Sequence, residues 1–394
     1  MFEQLNAGGK DPILSLSVAF RQDVRPERVD LGVGVYRSSN GETPIMAAVR
    51  EAQLALAASQ TSKSYLGLTG NEQFNSALLD LLLGQSDAAS RAAVMQTPGG
   101  SGALRLLADL VHLAAPDATV WLSDPSYVNH APIMRAAGLK VAFYPYFDLA
   151  TKAVNGEAML AALKAAGPRD IVLLHGACHN PTGADLSLAL WQQLAEMASA
   201  QGFVPFVDLA YQGFGDSLAE DAAGLQLLAA AVPEMLIATS CSKNFGLYRE
   251  RVGAAMVIAR DNRQRDIVSG RMQELARLLY TFPPDFGAAL VTKVLTEAPL
   301  RALWQQELTA MQQRIHGLRS QLAQALRQRC GDGHFDYIEA HRGMFSLTAL
   351  PPAAIDRLRD EFAIYVVPGG RINVAGLREE QIPQVADALV AVSR

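Results

Sequence analysis

Short apolar runs alternate with helical segments through the middle of the chain. In the helical segments Gly102–Leu113 and Ser187–Gln201, apolar residues recur at close to every 3.6 positions. The strand-like runs are Ala93–Gln96, Thr119–Leu122, Val141–Tyr144, Ile171–His175, Val204–Asp208, Leu236–Thr239 and Ala254–Ile258. This alternation predicts an α/β fold in which a mostly parallel sheet is covered by helices on both faces.

The pattern changes from about residue 296, where a long helical stretch, Arg301–Arg327, begins a second region. We expect strands at Phe335–Ala340 and Met344–Ala349, and hence a smaller α+β domain. The 394 residues exceed what one hydrophobic core usually holds. We therefore predict a large domain at 42–305 and a small domain from 1–41 and 306–394, with an extended N-terminal arm near Asn6–Pro12.

The composition of the chain disfavours a nucleic-acid-binding, secreted or membrane protein. The net charge is -5 with both signs mixed along the chain, so a nucleic-acid partner is not expected. The N-terminal residues show no secretion signal, and no run approaches the roughly 20 apolar residues that span a membrane. The odd set of cysteines, Cys178, Cys241 and Cys330, disfavours a disulfide framework and indicates a reducing, cytoplasmic setting.

Chemistry is expected just after the strand-like runs, because parallel sheets bind ligands beyond the carboxyl ends of their strands. Lys243 follows Leu236–Thr239, with Ser240 before it and Arg251 eight residues after it. Hydroxyls and a guanidinium suit a phosphate, and an amine can form an imine with an aldehyde. This combination suits pyridoxal phosphate, although a lysine after two serines is by itself typical of a solvated surface.

A glycine-rich segment lies between a predicted strand and a predicted helix. Its residues Gly100, Ser101 and Gly102 allow close approach of an anion to the helix N-terminus. A nucleotide-binding loop is an alternative, because Asp124 lies about 20 residues further on, but Arg105 occupies the third glycine position. A plain helix entry is the third interpretation.

Asp208 closes a strand-like run in which an unpaired carboxylate would be costly. Paired with a protonated pyridine nitrogen, it would keep that ring cationic and able to withdraw electrons from a substrate Cα. Tyr211, three residues on, could reach the phenolic oxygen of the same ring. The alternative for Asp208 is a helix N-cap.

Asn180 lies in an Asn-Pro-Thr-Gly turn after another strand-like run, where its amide could donate to the cofactor's phenolic oxygen. His175 and His179 are four apart, but the intervening glycine and the following turn disfavour a helical metal site, and no metal is expected. Arg371, between glycines and an apolar run, suits a bidentate carboxylate, with a surface arginine as the alternative.

Together, these segments resemble the class I aminotransferases of pyridoxal-phosphate fold type I, and most closely the aspartate and aromatic subgroup. The run Ser240–Gly253 agrees with the lysine signature of that family at every restricted position. Further matching stretches are Leu31–Tyr36, Tyr65–Gly67, Val120–His130, His175–Gly183, Asp208–Phe214 and Gly343–Ser346. The resemblance covers essentially the whole chain and implies a pyridoxal 5'-phosphate cofactor and a homodimer.

The resemblance also implies cofactor roles. Lys243 would be the Schiff-base lysine, and it would move the proton between the substrate Cα and the cofactor's C4′. Asp208 would pair with the ring nitrogen, and Tyr211 and Asn180 would contact the phenolic oxygen. The phosphate would be held by Gly100, Ser101, Gly102, Ser240 and Arg251, with Tyr65 supplied by the other subunit.

The substrate would be held by a further set that the resemblance implies. Arg371 would bind the α-carboxylate, and the backbone N–H of Gly34 would join it as the small domain closes. Arg277, supplied across the dimer interface, would bind a side-chain carboxylate. The set is completed by Tyr127, Asn180 and Phe345.

This chain departs from the family at the substrate site. Tyr127 occupies the position of the usual tryptophan that stacks on the cofactor. Ser64, Leu279 and Phe282 stand where the aspartate-specific form has asparagines, and Ser101 stands where threonine is common. Less polar walls favour aromatic side chains. We therefore expect a ping-pong enzyme that moves the amino group between an aromatic or acidic L-amino acid and 2-oxoglutarate.

A strict aspartate aminotransferase, converting aspartate and 2-oxoglutarate to oxaloacetate and glutamate, is the alternative. A decarboxylase or β-lyase on the same fold is disfavoured by the presence of both Arg371 and Arg277. The lysine signature and the missing third glycine disfavour a nicotinamide oxidoreductase. A non-catalytic binding protein is disfavoured because the expected lysine, aspartate and arginines are all present.

Overall fold

The computed structural model describes residues 1–6 and 12–393, and these form two compact units. One unit comprises Pro44–Asn180 and Ala184–Gln313; the other comprises Met1–Thr43, Pro181–Gly183 and Arg314–Arg394 within the described range. The domain boundaries expected after residues 41 and 305 stay a prediction. The arm expected near Asn6–Pro12 falls mainly on residues 7–11, which lie outside the described part of the chain.

The helices are numbered along the chain. They are α1 (Pro12–Gln22), α2 (Ala47–Ser59), α3 (Glu72–Leu83), α4 (Asp87–Ser90), α5 (Gly99–Ala114), α6 (His130–Ala136), α7 (Gly156–Leu163), α8 (Leu188–Gln201), α9 (Glu220–Ala231), α10 (Asn262–Leu279), α11 (Asp285–Thr296), α12 (Ala298–Cys330), α13 (Tyr337–Ala340), α14 (Pro352–Phe362) and α15 (Ile382–Ser393). No helix within residues 1–6 and 12–393 has both the length and the apolar composition needed to cross a membrane.

The strands are likewise numbered in chain order. They are β1 (Val29–Asp30), β2 (Ala92–Pro98), β3 (Thr119–Asp124), β4 (Lys140–Pro145), β5 (Phe147–Asp148), β6 (Ala153–Val154), β7 (Ile171–His175), β8 (Val204–Leu209), β9 (Met235–Ser240), β10 (Val252–Ile258), β11 (Phe345–Leu347), β12 (Ile364–Tyr365) and β13 (Arg371–Asn373). All the strand-like runs predicted in the middle of the chain lie inside these strands.

The central sheet of the larger unit has the strand order β2-β10-β9-β8-β7-β3-β4. Strands β9, β8, β7, β3 and β4 pair in parallel, whereas β10 is antiparallel to both of its neighbours. Every residue of β9 and β10 is buried, as expected for strands covered on both faces. The predicted mostly parallel sheet is therefore confirmed.

Helix α5 shows how sequence periodicity builds this unit. Its buried residues Ala103, Leu107 and Val111 are four positions apart, and they pack with the strands in one apolar core. Burying each leucine stabilises the fold by roughly 1.5–3 kcal/mol. The helix is thereby held with its N-terminus directly after β2.

The smaller unit contains two short strand pairs, β1 with β12 and β11 with β13. The strand predicted at Phe335–Ala340 is wrong, because Tyr337–Ala340 forms the short helix α13. Phe335 and Ile338 are both buried in the core of this unit. Their spacing of three suits a helical turn, whereas strand alternation from Phe335 would have turned the charged Glu339 inward.

Candidate active site

The carboxyl ends of β3, β7, β8 and β9 lie at one edge of the sheet, because these strands are parallel neighbours. The side chains predicted to bind the cofactor follow these ends. Asp208 lies in β8, directly opposite His175 in β7. Ser240 closes β9, and Lys243 follows it. Residues far apart in sequence are therefore gathered by strand order.

Asp208 is paired with a histidine that the sequence did not single out. The Oδ2 atom of Asp208 lies 2.9 Å from Nε2 of the fully buried His130. The other ring nitrogen, Nδ1, lies 2.9 Å from the Ser126 hydroxyl, which is also 3.3 Å from Nε2 of His175. An ionised carboxylate only accepts hydrogen bonds. Nε2 of His130 therefore carries a hydrogen and donates a hydrogen bond to Oδ2 of Asp208.

The electrostatics keep Asp208 charged. Burial alone would raise the pKa of Asp208, but the hydrogen bond from His130, with smaller contributions from the charges of His130 and Lys243, outweighs burial and lowers that pKa below 3.8. Burial, together with the charge of His130, lowers the pKa of His175 to about 3, so His175 is neutral near pH 7. The helix N-cap alternative for Asp208 is wrong, because α9 begins at Glu220.

Lys243 and Tyr211 lie together at this edge. The Nζ atom of the half-buried Lys243 is 4.7 Å from the ring centroid of Tyr211, which is itself buried. The charge of Lys243 also contributes to the lowered pKa of Asp208. An amine, a phenol and an ionised carboxylate thus share one neighbourhood.

The start of α5 forms a cradle for an anion. The preceding residue, Pro98, has no side-chain group that could cap the first N–H groups of the helix. A Cβ atom placed on Gly99 would lie 2.5 Å from Nη2 of Arg251, and one placed on Gly100 would lie 3.3 Å from the Cβ of Ser240. The helix N-terminus, a guanidinium and a hydroxyl therefore converge, which suits a dianionic phosphate.

The nucleotide-loop interpretation of this segment is wrong. A dinucleotide fingerprint requires a parallel βαβ unit, in which the strand before the glycines pairs in parallel. Here β2 is an edge strand, and its partner β10 is antiparallel to it. Gly100, Ser101 and Gly102 instead lie in the first turn of α5.

Asn180 is buried just after β7, and its backbone N–H points to Nδ1 of His175 at 3.4 Å. The rings of His175 and His179 face each other with centroids 4.0 Å apart, and Tyr146 stacks on His179, also at 4.0 Å. In the described residues, no three His, Cys, Asp or Glu side chains are grouped in a way that could hold a metal ion.

Tyr127 lies at the carboxyl end of β3, with its ring edge-on to His130 at 5.3 Å between centroids. Tyr65 is 85% exposed and stacks on Phe282 of its own chain at 5.0 Å. Arg277 is exposed in the last turn of α10. Tyr127 is thus adjacent to the Asp208 pair, whereas Tyr65 and Arg277 face outward from the chain.

The remaining predicted site residues, Arg371, Gly34 and Phe345, lie in the smaller unit. Arg371 is only 7% exposed, so the surface-arginine alternative is wrong. Its Nη2 donates to the Gly32 carbonyl at 2.8 Å, and its guanidinium lies 4.2 Å from the ring centroid of Phe345. A Cβ atom at Gly34 would lie 3.0 Å from that ring, so a larger residue would force the ring to shift.

Comparison with known proteins agrees with this geometry. Residues 26–389 match the family described as "Aminotransferase class I and II". The chain belongs to this family. An aromatic-amino-acid aminotransferase of Paracoccus denitrificans is 46% identical, and an aspartate aminotransferase of Salmonella typhi is 43% identical, each over 100% of both chains. The predicted aminotransferase activity is thereby confirmed.

The architecture of this aminotransferase is also shared with a solved structure. An aromatic-amino-acid aminotransferase from Burkholderia pseudomallei, covalently bound to pyridoxal phosphate, superposes with a TM-score of 0.97 at 42% identity, covering 100% of both chains. The predicted fold-type I architecture is confirmed. The histidine on Asp208 was missed because the two residues are 78 positions apart, and only the order β8-β7-β3 brings them together.

Proposed function

We propose that this aminotransferase moves the amino group between aromatic or acidic L-amino acids and 2-oxoglutarate. Its cofactor is pyridoxal 5'-phosphate. The observation that carries the proposal is the grouping of Lys243 and Tyr211 with an Asp208 whose lowered pKa keeps it ionised. Relatives named for aromatic substrates and for aspartate support this range of substrates.

The donor groups at the sheet edge fit this cofactor. We assign its phosphate to the N-terminus of α5, to the Ser240 hydroxyl and to Arg251, which lie against one another. Within that first turn the binding residues are Gly100, Ser101 and Gly102. When bound, pyridoxal phosphate withdraws electrons from the substrate Cα and makes its proton acidic.

The catalytic work of the chain is assigned to Asp208, Lys243 and Tyr211, and Asn180 assists in binding the cofactor. Asp208, ionised and oriented by His130, holds the proton on the pyridine nitrogen through a charge-assisted hydrogen bond. Lys243 would attach the cofactor through its Nζ, and the same amine, when not attached, would take up the Cα proton of the substrate. Tyr211 and Asn180 would donate hydrogen bonds to the phenolic oxygen of the cofactor and so help to orient its ring.

Arg371 supplies the positive charge for the substrate α-carboxylate. Its guanidinium is fixed by the Gly32 carbonyl and by the face of Phe345, so little side-chain entropy is lost when a carboxylate binds. The backbone N–H of Gly34 is assigned to the same carboxylate. Tyr127 and Asn180 complete the substrate contacts.

We further propose a homodimer in which Tyr65 and Arg277 are supplied across the interface. Both residues are exposed on the single chain, and Leu278, beside Arg277, is a further exposed apolar side chain. On the single chain Arg277 faces solvent, where its charge is well hydrated and would bind a carboxylate only weakly. A second subunit that covers this surface would bury Arg277 close to bound substrate.

The substrate range depends on the surroundings of Arg277. Leu279 and Phe282 are apolar where the aspartate-specific form has asparagines, and Phe282 stacks on Tyr65. Apolar side chains at these positions favour binding of an aromatic substrate side chain, while Arg277 binds the side-chain carboxylate of acidic substrates. A strict aspartate aminotransferase is the second candidate, supported by the relative named for aspartate.

Rapid mixing of the holoenzyme with aspartate or with phenylalanine tests the proposal. The rate of change of the cofactor absorbance, measured against concentration, gives kcat/KM for each half-reaction. Values within about tenfold of each other are expected. Reaction with aspartate alone would identify a strict aspartate aminotransferase, and reaction with neither would overturn the proposed function.

Arg277→Leu is expected to separate the two substrate classes. Without the guanidinium, the side-chain carboxylate of aspartate is left unpaired, so kcat/KM for aspartate should fall by about 100-fold or more, the equivalent of about 3 kcal/mol. The value for phenylalanine should be unchanged or higher. Steady-state kinetics with both substrates measure the difference.

Arg271→Leu is the matched control for that substitution. Arg271 is exposed on the same helix and pairs with Glu274 at 2.6 Å. Its loss should change kcat/KM by no more than about twofold for either aspartate or phenylalanine, because an exposed ion pair contributes little to the stability of the fold. Unchanged aspartate turnover in Arg277→Leu would remove Arg277 from its assigned role.

We place the enzyme in the cytoplasm. Cys178 and Cys241 are buried and Cys330 is half-buried, and none of the three forms a disulfide within the described residues. Burial also raises the pKa of the Cys241 thiol well above its usual range, which keeps it unreactive. Cysteines that form no disulfide are typical of a reducing compartment.

A further inference from the structure

Asn129 occupies a helix-capping position but uses its side chain elsewhere. It directly precedes α6, where an asparagine oxygen commonly accepts a bond from a backbone N–H. Asn155 makes this bond at α7, accepting from the Ala158 N–H at 3.1 Å. Asn129, within the described residues, makes no side-chain cap bond, and its Nδ2 donates to the Tyr127 hydroxyl at 3.0 Å.

Tyr127 lies next to the catalytic carboxylate. Its ring stands at 89° to the His130 ring with 5.3 Å between centroids, and Nε2 of His130 donates to Asp208 at 2.9 Å. The phenol is half-buried at the carboxyl end of β3. The hydrogen bond from Asn129 therefore acts on a hydroxyl that lies next to the proposed active site.

The direction of this hydrogen bond determines what the hydroxyl can do. A phenol hydrogen lies in the ring plane and has two orientations, while the oxygen also accepts. Because an N–H of Asn129 occupies the accepting side, the hydroxyl hydrogen is turned to the opposite side of the ring. There it is a donor, and the acceptor that every substrate of this enzyme carries is a carboxylate.

We propose that Asn129 is a positioning residue that orients the Tyr127 hydroxyl as a hydrogen-bond donor to a carboxylate oxygen of the substrate. This inference rests on the proposed function. Asn129 itself touches neither substrate nor cofactor. It acts only by removing one of the two orientations of the phenol hydrogen before substrate arrives, which is a form of preorganisation.

A double-mutant cycle tests the proposal. Tyr127→Phe deletes the donor and should lower kcat/KM for aspartate about tenfold, chiefly through KM, as expected for a hydrogen bond to a charged acceptor. Asn129→Ala leaves the hydroxyl unoriented and should lower kcat/KM about threefold. The double variant should match Tyr127→Phe, because Asn129 has no route to the substrate except through that hydroxyl.

Asn155→Ala is the matched control, because it removes an asparagine that does cap its helix. It should lower the melting temperature by a few degrees through the lost cap, with kcat/KM unchanged. Asn129→Ala should show the opposite pattern, with an unchanged melting temperature and a raised KM. If Asn129 had a purely structural role, Asn129→Ala would lower the melting temperature and leave KM unchanged, and the proposal would be overturned.

Binding of succinate to the holoenzyme, measured by calorimetry, separates this proposal from the proposed function, because it requires no turnover. Weaker succinate binding in both single variants, with no further loss in the double variant, supports the proposal even where no amino acid reacts. Full persistence of the Asn129→Ala effect in the Tyr127→Phe background would overturn it. So would unchanged succinate affinity in either single variant.

Discussion

Replacing Lys243 with alanine is expected to end covalent attachment of the cofactor and to lower kcat by about 10⁴-fold or more. Lys243 is the amine beside Tyr211 at the carboxyl edge of the sheet, and its charge acts on Asp208. In the proposed roles of Lys243, the substitution removes both the attachment point and the group that moves the Cα proton, and proton transfer by a positioned side chain alone is worth up to about 10⁴-fold. Single-turnover kinetics with aspartate measure the loss.

Borohydride reduction followed by peptide mass analysis identifies the attachment site directly. The wild-type holoenzyme should carry the reduced cofactor on the peptide that contains Lys243, and the Lys243→Ala variant should carry none. Lys293→Ala is a suitable control, since Lys293 pairs with Glu297 on helix α11 and is remote from this cluster in sequence. A cofactor fixed on any other lysine of the wild-type enzyme would refute the assignment.

The sheet could be predicted from sequence because its strands are short, largely apolar runs that alternate with helical segments. The run Ile171–His175, for example, begins and ends where β7 does. The strand predicted at Phe335–Ala340 failed because the first three residues alternate in polarity as a strand does, whereas the buried Phe335 and Ile338 are three positions apart, as in a helical turn. There, burial of Phe335 and Ile338 in one core decided in favour of the helical turn.

The chemistry of the site could be predicted only in part. Asp208 and Lys243 stand out because these charged residues lie at or shortly after the ends of apolar strand-like runs, and the resemblance to the family then indicates their roles. His130 carries no such signal. Its function depends on the pairing of β7 with both β3 and β8, a long-range property that no local pattern encodes.

The network around Asp208 explains how a buried carboxylate can stay charged. Burial opposes ionisation, and His130 reverses that effect by donating to Oδ2 while Ser126 holds the other side of its ring. A pKa below the ordinary value means that the charge is kept as the pH falls and is lost only when the pH passes that lowered pKa. Loss of activity between pH 5 and 7 would therefore arise from other groups.

Asp208→Ala should show what this charge contributes to catalysis. In its proposed role Asp208 keeps a proton on the pyridine nitrogen, so its removal should make the cofactor a weaker electron acceptor. Breaking such a buried charged pair typically costs about 3–5 kcal/mol, so kcat should fall by about 10³-fold. The measurement is the single-turnover rate with aspartate at saturating cofactor, so that weakened cofactor binding does not contribute.

Asp208→Glu keeps the charge and should recover a large part of the rate, limited by how well the longer side chain keeps its bond to His130. Asp208→Asn keeps the shape but not the charge, and it should be nearly as slow as the alanine variant. If the asparagine variant were as fast as the wild type, the carboxylate would have only a packing role. The ordering glutamate, then asparagine, then alanine therefore separates electrostatic support of the ring nitrogen from the loss of a well-packed side chain.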